Sequence, residues 1–186
     1  MLVHFRKIAT RRYSVLVEPE GAPALIAHPA PGYDDYLPHD LLHFVAETEW
    51  GLDGAVFGQL AAGGDPGIFL PVDSDVVPQW VRRRKLRRRA HPKGRRSEVL
   101  AHVLESAWNA RRRRRPLPDN WDHLLSEARV DRKHLARVVD SLDELADTWH
   151  RLQVGEQLTV EWPRPGRRRI TPARQRRKRQ GRQIRH

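Results

Sequence analysis

Alternation of apolar and polar residues predicts strands near both ends of the chain. The alternating segments are residues 12–17 and 157–162, residues 24–27 are the candidate return strand of a hairpin, and residues 2–8 a further short strand. In the clearest of them, Tyr13, Val15 and Val17 lie on one face. Pro19-Glu20-Gly21 is a turn signal between the second and third strands. We therefore expect an N-terminal β hairpin.

Apolar residues at helical spacing predict helices between these strands. The predicted helices cover residues 36–49, 54–62, 121–128 and 132–153, and another runs from residue 97 into the arginine run 111–115. Asp35, Ser97 and Asp131 are suitable N-caps. Leu142 lies in the middle of the apolar stripe of the longest helix, so we expect it to be buried. Residues 68–77 are predicted to be loop or sheet edge, and residues 82–96 a basic connector.

Together these elements predict an α+β fold, in which an N-terminal β hairpin packs with a small helical bundle. Residues 1–162 are expected to form one domain. Residues 163–186 contain no acid and almost no large apolar side chain, which predicts a disordered basic C-terminal tail. Among the tryptophans, Trp108, Trp149 and Trp162 are expected in the core, and Trp50 and Trp80 at the surface.

The composition excludes several kinds of chemistry. The 186 residues include no cysteine, so disulfides, thiolate metal ligands and cysteine nucleophiles are absent. The chain also lacks a Gly-x-Ser-x-Gly elbow and a Walker loop. No apolar run is long enough to cross a bilayer, and we find no signal peptide. We expect a cytoplasmic protein that does not associate with membranes.

Charge is divided into alternating acidic and basic blocks. Residues 1–81 carry 4 cationic and 11 acidic side chains, and residues 116–162 carry 5 and 10. Residues 82–115 carry 15 cationic side chains against 2 acidic ones, and residues 163–186 carry 11 against none. This pattern indicates an acidic folded body with basic segments available to polyanions.

The inner arginine runs, residues 82–89 and 111–115, have two interpretations. Their guanidinium groups can donate to phosphate oxygens of nucleic acid. Alternatively, they pair with acids of the body. The candidate acids are Asp73, Asp75, Asp140, Asp143, Glu144 and Asp147.

The tail resembles the arginine-rich arms that become ordered on nucleic acid. Its candidate nucleic-acid-binding residues are Arg167, Arg168, Arg169, Arg174, Arg176, Arg177, Lys178 and Arg179. Because no aromatic residue lies among them, base stacking adds no affinity. We therefore expect a binding protein that contacts RNA or DNA non-specifically through this tail.

A pair of histidines indicates a different function. His39 and His43 are four residues apart on a predicted helix, so their rings project from the same face and can share one divalent metal ion such as zinc. Glu47, one turn further on, is a candidate ligand or outer-shell partner. Asp34, Asp35 and Glu49 are other candidates for a third ligand. The alternative is a purely structural pair, with at least one ring bonded to a backbone carbonyl.

Two resemblances bear on this segment. His39-Asp40-Leu41-Leu42-His43 resembles the His-Asp-x-x-His element of the ubiquinone-biosynthesis family, whose members bind a divalent metal through such a helix. That family places a glutamate twelve residues after the second histidine, where this chain has Ala55. The resemblance implies a metal-binding protein or a metal-dependent enzyme. The wider segment from Tyr33 to Gly64 is similar to small uncharacterised bacterial proteins, and that similarity implies no activity.

Overall fold

The computed structural model describes residues 1–30, 36–87 and 93–163. Its strands are β1 (Leu2–Ala9), β2 (Arg12–Glu18), β3 (Leu25–Ala27), β4 (Leu70–Pro71) and β5 (Gln157–Glu161). Its helices are α1 (His39–Glu49), α2 (Val56–Ala61), α3 (Val77–Arg87), α4 (Lys93–Arg111), α5 (Trp121–Ala128) and α6 (Arg132–Arg151). The predicted α+β class is confirmed.

The strands form one antiparallel sheet in the order β4-β3-β2-β1-β5. In the register between β1 and β5, Val3 lies opposite Val160 and Phe5 opposite Leu158. All four side chains are buried. Strands β1 and β5, which are far apart in sequence, are therefore neighbours in the sheet. Alternate residues of both strands point into the buried face, which accounts for their period of two.

Aromatic side chains join the helices to the sheet. The Phe44 ring of α1 lies 6.4 Å from Phe5 and 5.3 Å from Phe57 of α2, both edge to face. Tyr13 of β2 meets Trp149 of α6 edge to face at 6.3 Å. Such aromatic pairs stabilise a fold by more than the apolar area they bury. These pairs hold α1, α2 and α6 against the sheet.

Helix α4 packs beside α1 and also contacts α5 and α6. Its Leu100, Val103 and Leu104 are fully buried, as are Leu41 and Val45 of α1. This packing brings the N-terminal halves of α1 and α4 together. Side chains far apart in sequence therefore meet at the candidate site.

The basic connector predicted over residues 82–96 is wrong, because α3 and α4 both extend into it. Helix α4 begins at Lys93, so Ser97 lies inside it and is not its N-cap. The apolar stripe of α4 starts only at Leu100, so its polar first turn carries no periodic signal. Helix α1 begins at His39 with Pro38 as its N-cap. Asp35, the expected cap, lies outside the described residues.

The long helix α6 agrees closely with its prediction. Asp131 caps it by accepting a 2.8 Å hydrogen bond from the His134 N–H. Leu142 is 0% exposed, as expected. At the other end, Lys7 Nζ donates to the carbonyl of Leu152 at 3.0 Å, which ties the end of α6 to β1.

The expectation for the tryptophans is partly wrong. Trp108 and Trp149 are buried as expected. Trp80 is buried too, with 7% exposure, because it belongs to α3 and not to a loop. Trp50 is half-buried, and its ring lies 4.9 Å from the His134 ring.

Two of the inner arginines pair with acids of α6. Arg111 pairs with Asp140 and Asp143, and Arg112 contacts Asp143 at 2.8 Å. The indole of Trp108 donates to Asp143 at 2.9 Å. The ion-pairing interpretation is therefore confirmed for Arg111 and Arg112. The side chains of residues 83–89 lie outside the described part of the chain.

None of the helices in the described ranges combines the length and apolar character needed to cross a bilayer.

Candidate metal centre

The two histidine rings meet at the start of α1. His39 and His43 stand one turn apart, and their Nε2 atoms are 3.1 Å apart. The rings are edge to face, with centroids 4.8 Å apart. His43 is buried and His39 is half-buried. In the described part of the chain, the hydrogen-bond partners of both rings are side chains, whereas the structural interpretation expected a backbone carbonyl.

A carboxylate from α4 joins the histidine pair. Glu98 Oε2 lies 3.5 Å from His43 Nε2. One ligand atom from each of His39, His43 and Glu98 lies within 4.8 Å of the others. The Glu98 side chain is 72% exposed, so the group opens to solvent. No local pattern pointed to Glu98, because its position depends on the packing of α4 against α1.

The carboxylate of Glu47, a candidate metal ligand from the sequence, faces the start of α2. It is 0% exposed, and its oxygens face the first backbone N–H groups of α2. Oε2 accepts from Phe57 at 2.7 Å and from Gly58 at 3.1 Å, and Oε1 accepts from Val56 at 3.1 Å. These donors would otherwise be unsatisfied at the start of a helix. Glu47 therefore caps α2 and fixes it against α1.

Of the remaining candidates for a third ligand, only Glu49 lies within the described residues. Glu49 is largely buried and faces His134 Nε2 at 3.7 Å. Asp34 and Asp35 lie outside the described residues. Among the candidate third ligands that lie within the described residues, Glu47 is the one connected to the histidine pair by hydrogen bonds, and the connection is indirect.

Ser97 provides that link. Its hydroxyl donates to Glu47 Oε1 at 3.0 Å, and its oxygen lies 2.9 Å from His43 Nδ1. An ionised Glu47 can only accept, so the single proton of the Ser97 hydroxyl is directed at this carboxylate. The serine oxygen must therefore accept from His43, which places the imidazole proton on Nδ1. The lone pair of His43 is left on Nε2, which faces His39 and Glu98.

Burial controls the protonation of this group. It lowers the pKa of His43, an effect that His39 strengthens and Glu98 opposes. Burial also raises the pKa of Glu47 to about 7, although the N–H groups of Gly58 and Phe57 act in the opposite direction. A neutral imidazole is the form that ligates a metal. Burial thus favours the neutral form of His43, and an ionised Glu47 favours the tautomer whose Nε2 lone pair can ligate a metal.

The aspartate of the His-Asp-x-x-His segment faces the sheet. The Tyr13 hydroxyl donates to Asp40 Oδ2 at 2.9 Å, and the Asp40 backbone N–H donates to that hydroxyl oxygen at 3.2 Å. Burial raises the pKa of Asp40 and, more strongly, that of Tyr13. Asp40 thus anchors the first turn of α1 to β2.

The candidate nucleic-acid-binding residues of the tail lie outside the described residues. They are Arg167, Arg168, Arg169, Arg174, Arg176, Arg177, Lys178 and Arg179.

In comparisons with known proteins, no family model, curated protein or solved structure matches the chain. Both resemblances noted in the sequence therefore stay predictions.

Proposed function

We propose that the protein binds one divalent metal ion, with zinc the best fit, through His39, His43 and Glu98. The observation that carries this proposal is the hydrogen-bond chain from Glu47 through Ser97 to His43 Nδ1. It turns the Nε2 lone pair of His43 toward the other two ligands. Metal-binding histidines commonly have their second nitrogen oriented in this way by an outer-shell partner.

The separations within the group suit a tetrahedral ion. Zinc bonds of about 2.0–2.2 Å to nitrogen and oxygen place neighbouring ligand atoms roughly 3.3–3.5 Å apart. The observed separations from His43 Nε2 are 3.1 Å to His39 and 3.5 Å to Glu98. The remaining pair lies within 4.8 Å. The Glu98 side chain is 72% exposed, and we expect it to rotate toward His39 when the metal binds.

Three protein ligands leave one position of a tetrahedral ion for water or substrate. Zinc sites that are built in this way are catalytic, whereas structural sites have four protein ligands. Zinc lowers the pKa of a bound water to about 7 and so supplies a nucleophile at neutral pH. The open side of the group, at Glu98, makes a metal-dependent enzyme the preferred form of this proposal.

Zinc titration of the metal-free full-length protein tests the ligand set. We expect one saturable site in the wild type at pH 7.5. His39→Ala, His43→Ala and Glu98→Gln should each weaken binding by more than the roughly 10–100-fold that loss of an outer-shell partner costs. Ser97→Ala removes only the orienting hydroxyl and should fall within that range. His102→Ala changes an exposed histidine of α4 and is the matched control. Equal affinity in the ligand variants and in the control would exclude this site.

The affinity for zinc should fall at acidic pH. Protons compete with the metal for both imidazoles, and ordinary histidine titrates at about 6.5. Burial lowers the pKa of His43, so this ring stays available below the usual range. We therefore expect little change in affinity between pH 8 and pH 7, and a steep loss below about 6.5. Calorimetry at pH 5.5, 6.5 and 7.5 measures this, and equal affinity at all three values would contradict imidazole ligation.

We further propose that the tail contacts nucleic acid, independently of the metal. Its support is the charge of residues 163–186, which carry 11 cationic side chains and no acid. Such binding should weaken steeply as salt rises, because it depends on counterion release. Deletion of residues 163–186 should remove most affinity for single-stranded RNA or DNA and leave cooperative melting intact. Equal binding by the full-length and shortened proteins at matched salt would contradict a role for the tail.

A further inference from the structure

A second candidate site lies between the start of α4 and the end of α5. Here the surface forms a cavity of about 250 Å³. Its lining residues are Arg95, Arg96, Val99, Glu127 and Arg129. The metal proposal uses none of them.

Cationic charge is in excess around this cavity. Its lining includes three arginines and a single acidic residue. Arg95 contacts that carboxylate, Glu127, at 3.6 Å, but its side chain is 87% exposed. An ion pair so open to solvent is weak. The first turn of α4 contains no acid, and the next carboxylate along the helix, Glu98, faces His43 Nε2 at 3.5 Å.

Arg96 has unused hydrogen-bonding capacity. Its Nη2 atom donates to the backbone carbonyl oxygen of Ala128 at 3.5 Å, which is long for a hydrogen bond. Its Nε atom is buried and, within the described ranges of the chain, has no hydrogen-bond partner. A buried donor on a charged group is costly when no acceptor is present. An anion in the cavity would supply an acceptor once the Arg96 side chain turns its guanidinium toward it.

We propose that this cavity binds the phosphate group of a small phosphorylated molecule. Guanidinium forks match phosphate oxygens in geometry and charge. The volume lies just below the roughly 300–1,000 Å³ of sites that enclose whole ligands, so the cavity suits one anionic group with the rest of the ligand outside. A recess fits a single group, whereas non-specific binding to single strands uses a groove that follows the backbone.

The cavity and the proposed metal site share helix α4. Arg95 and Glu98 are three residues apart on α4, and residues at that spacing are neighbours on a helix surface. A phosphorylated compound held at Arg95 would therefore lie beside the metal group. Phosphate binding itself does not require the metal and can be measured without it.

The test is calorimetric titration of inorganic phosphate into full-length protein that has been treated with EDTA, at constant ionic strength and pH 7.5. We expect one saturable site in the wild type. The double variant Arg95→Gln/Arg129→Gln changes two exposed side chains and should weaken binding by roughly tenfold or more for each arginine lost. The control Lys133→Gln/Arg151→Gln removes the same charge from exposed positions of α6 and should bind as the wild type does.

Two further titrants identify the source of the phosphate group, a nucleoside monophosphate and a short single-stranded RNA. We expect the monophosphate to bind at least as tightly as inorganic phosphate and to lose affinity in the cavity variant alone. Absence of a saturable site in the wild type, or equal losses in the cavity and control variants, would overturn the proposal. RNA binding that is tighter than monophosphate binding and depends on Arg95 and Arg129 would overturn its small-molecule form. Because metal-free protein is used, failure of the zinc site leaves these outcomes unchanged.

Discussion

Replacement of Glu47 by alanine should lower the free energy of unfolding by about 3–5 kcal/mol at pH 5. The substitution leaves three backbone N–H groups of α2 and the Ser97 hydroxyl without their acceptor. Each buried donor left unsatisfied costs about 1–3 kcal/mol, and part of this loss is recovered when α2 shifts. Gly58 limits that shift, because α2 approaches so closely there that an added Cβ would lie 2.4 Å from the Leu52 carbonyl oxygen.

The cost of Glu47→Ala should depend on pH in a defined direction. The pKa of Glu47 is about 7 in the folded protein, against a usual value of 4.5. Between these values the folded state binds more protons than the unfolded state, so the contribution of Glu47 is fully present below pH 4.5 and declines as pH rises through 7. The difference in the free energy of unfolding between wild type and Glu47→Ala should therefore shrink by more than about 1 kcal/mol between pH 5 and pH 8.

Urea unfolding of both proteins at the two pH values measures this difference. Other titrating groups cancel, because they are common to wild type and variant. Glu144→Ala, which removes an exposed helical glutamate, is the control and should change stability by less than about 0.5 kcal/mol. A Glu47→Ala variant as stable as this control would show that the carboxylate does not hold α2.

Leu142→Ala should cost about 2–5 kcal/mol. Leu142 is 0% exposed and lies in the middle of the buried stripe of α6. Truncation removes apolar contacts and leaves a cavity that the surrounding helices fill only in part. Chemical denaturation measures the loss, and zinc should bind this variant normally wherever it remains folded.

Leu117→Ala is the matched control for this effect. Leu117 is 40% exposed in the segment between α4 and α5, so its truncation should change stability by less than about 0.5 kcal/mol. A cost below about 1 kcal/mol for Leu142→Ala would mean that the apolar stripe of α6 does not pack in the core.

The sequence predicted the elements whose apolar residues keep a regular spacing. Helix α6 and strands β1, β2 and β5 each bury one face. Their apolar residues therefore recur along the sequence with the period of a helix or a strand. Helix α3 and the first turn of α4 are dominated by arginine and lysine, and they gave no such signal. The surface position predicted for Trp80 is wrong for the same reason, because the arginine-rich sequence does not indicate the helix that buries it.

The candidate metal site was predictable only in its local part. The spacing of His39 and His43 brings the rings together within one helix. Glu98 and Ser97 come from α4, and their arrival at the site follows from tertiary packing of α4 on α1. Glu47 lies on α1 one turn after His43, as the sequence alone shows. However, the backbone N–H groups that occupy its carboxylate belong to α2, which the spacing along α1 does not reveal.

Anomalous diffraction at the zinc edge, from crystals of zinc-loaded full-length protein, tests the proposed metal site most directly. We expect one strong peak between α1 and α4, about 2.0–2.1 Å from the Nε2 atoms of His39 and His43 and about 2.0–2.2 Å from a Glu98 oxygen. His43 Nδ1 should keep its hydrogen bond to Ser97 in that structure. A crystal in which zinc is found at other histidines, or in which this position shows no anomalous peak, would contradict the proposal.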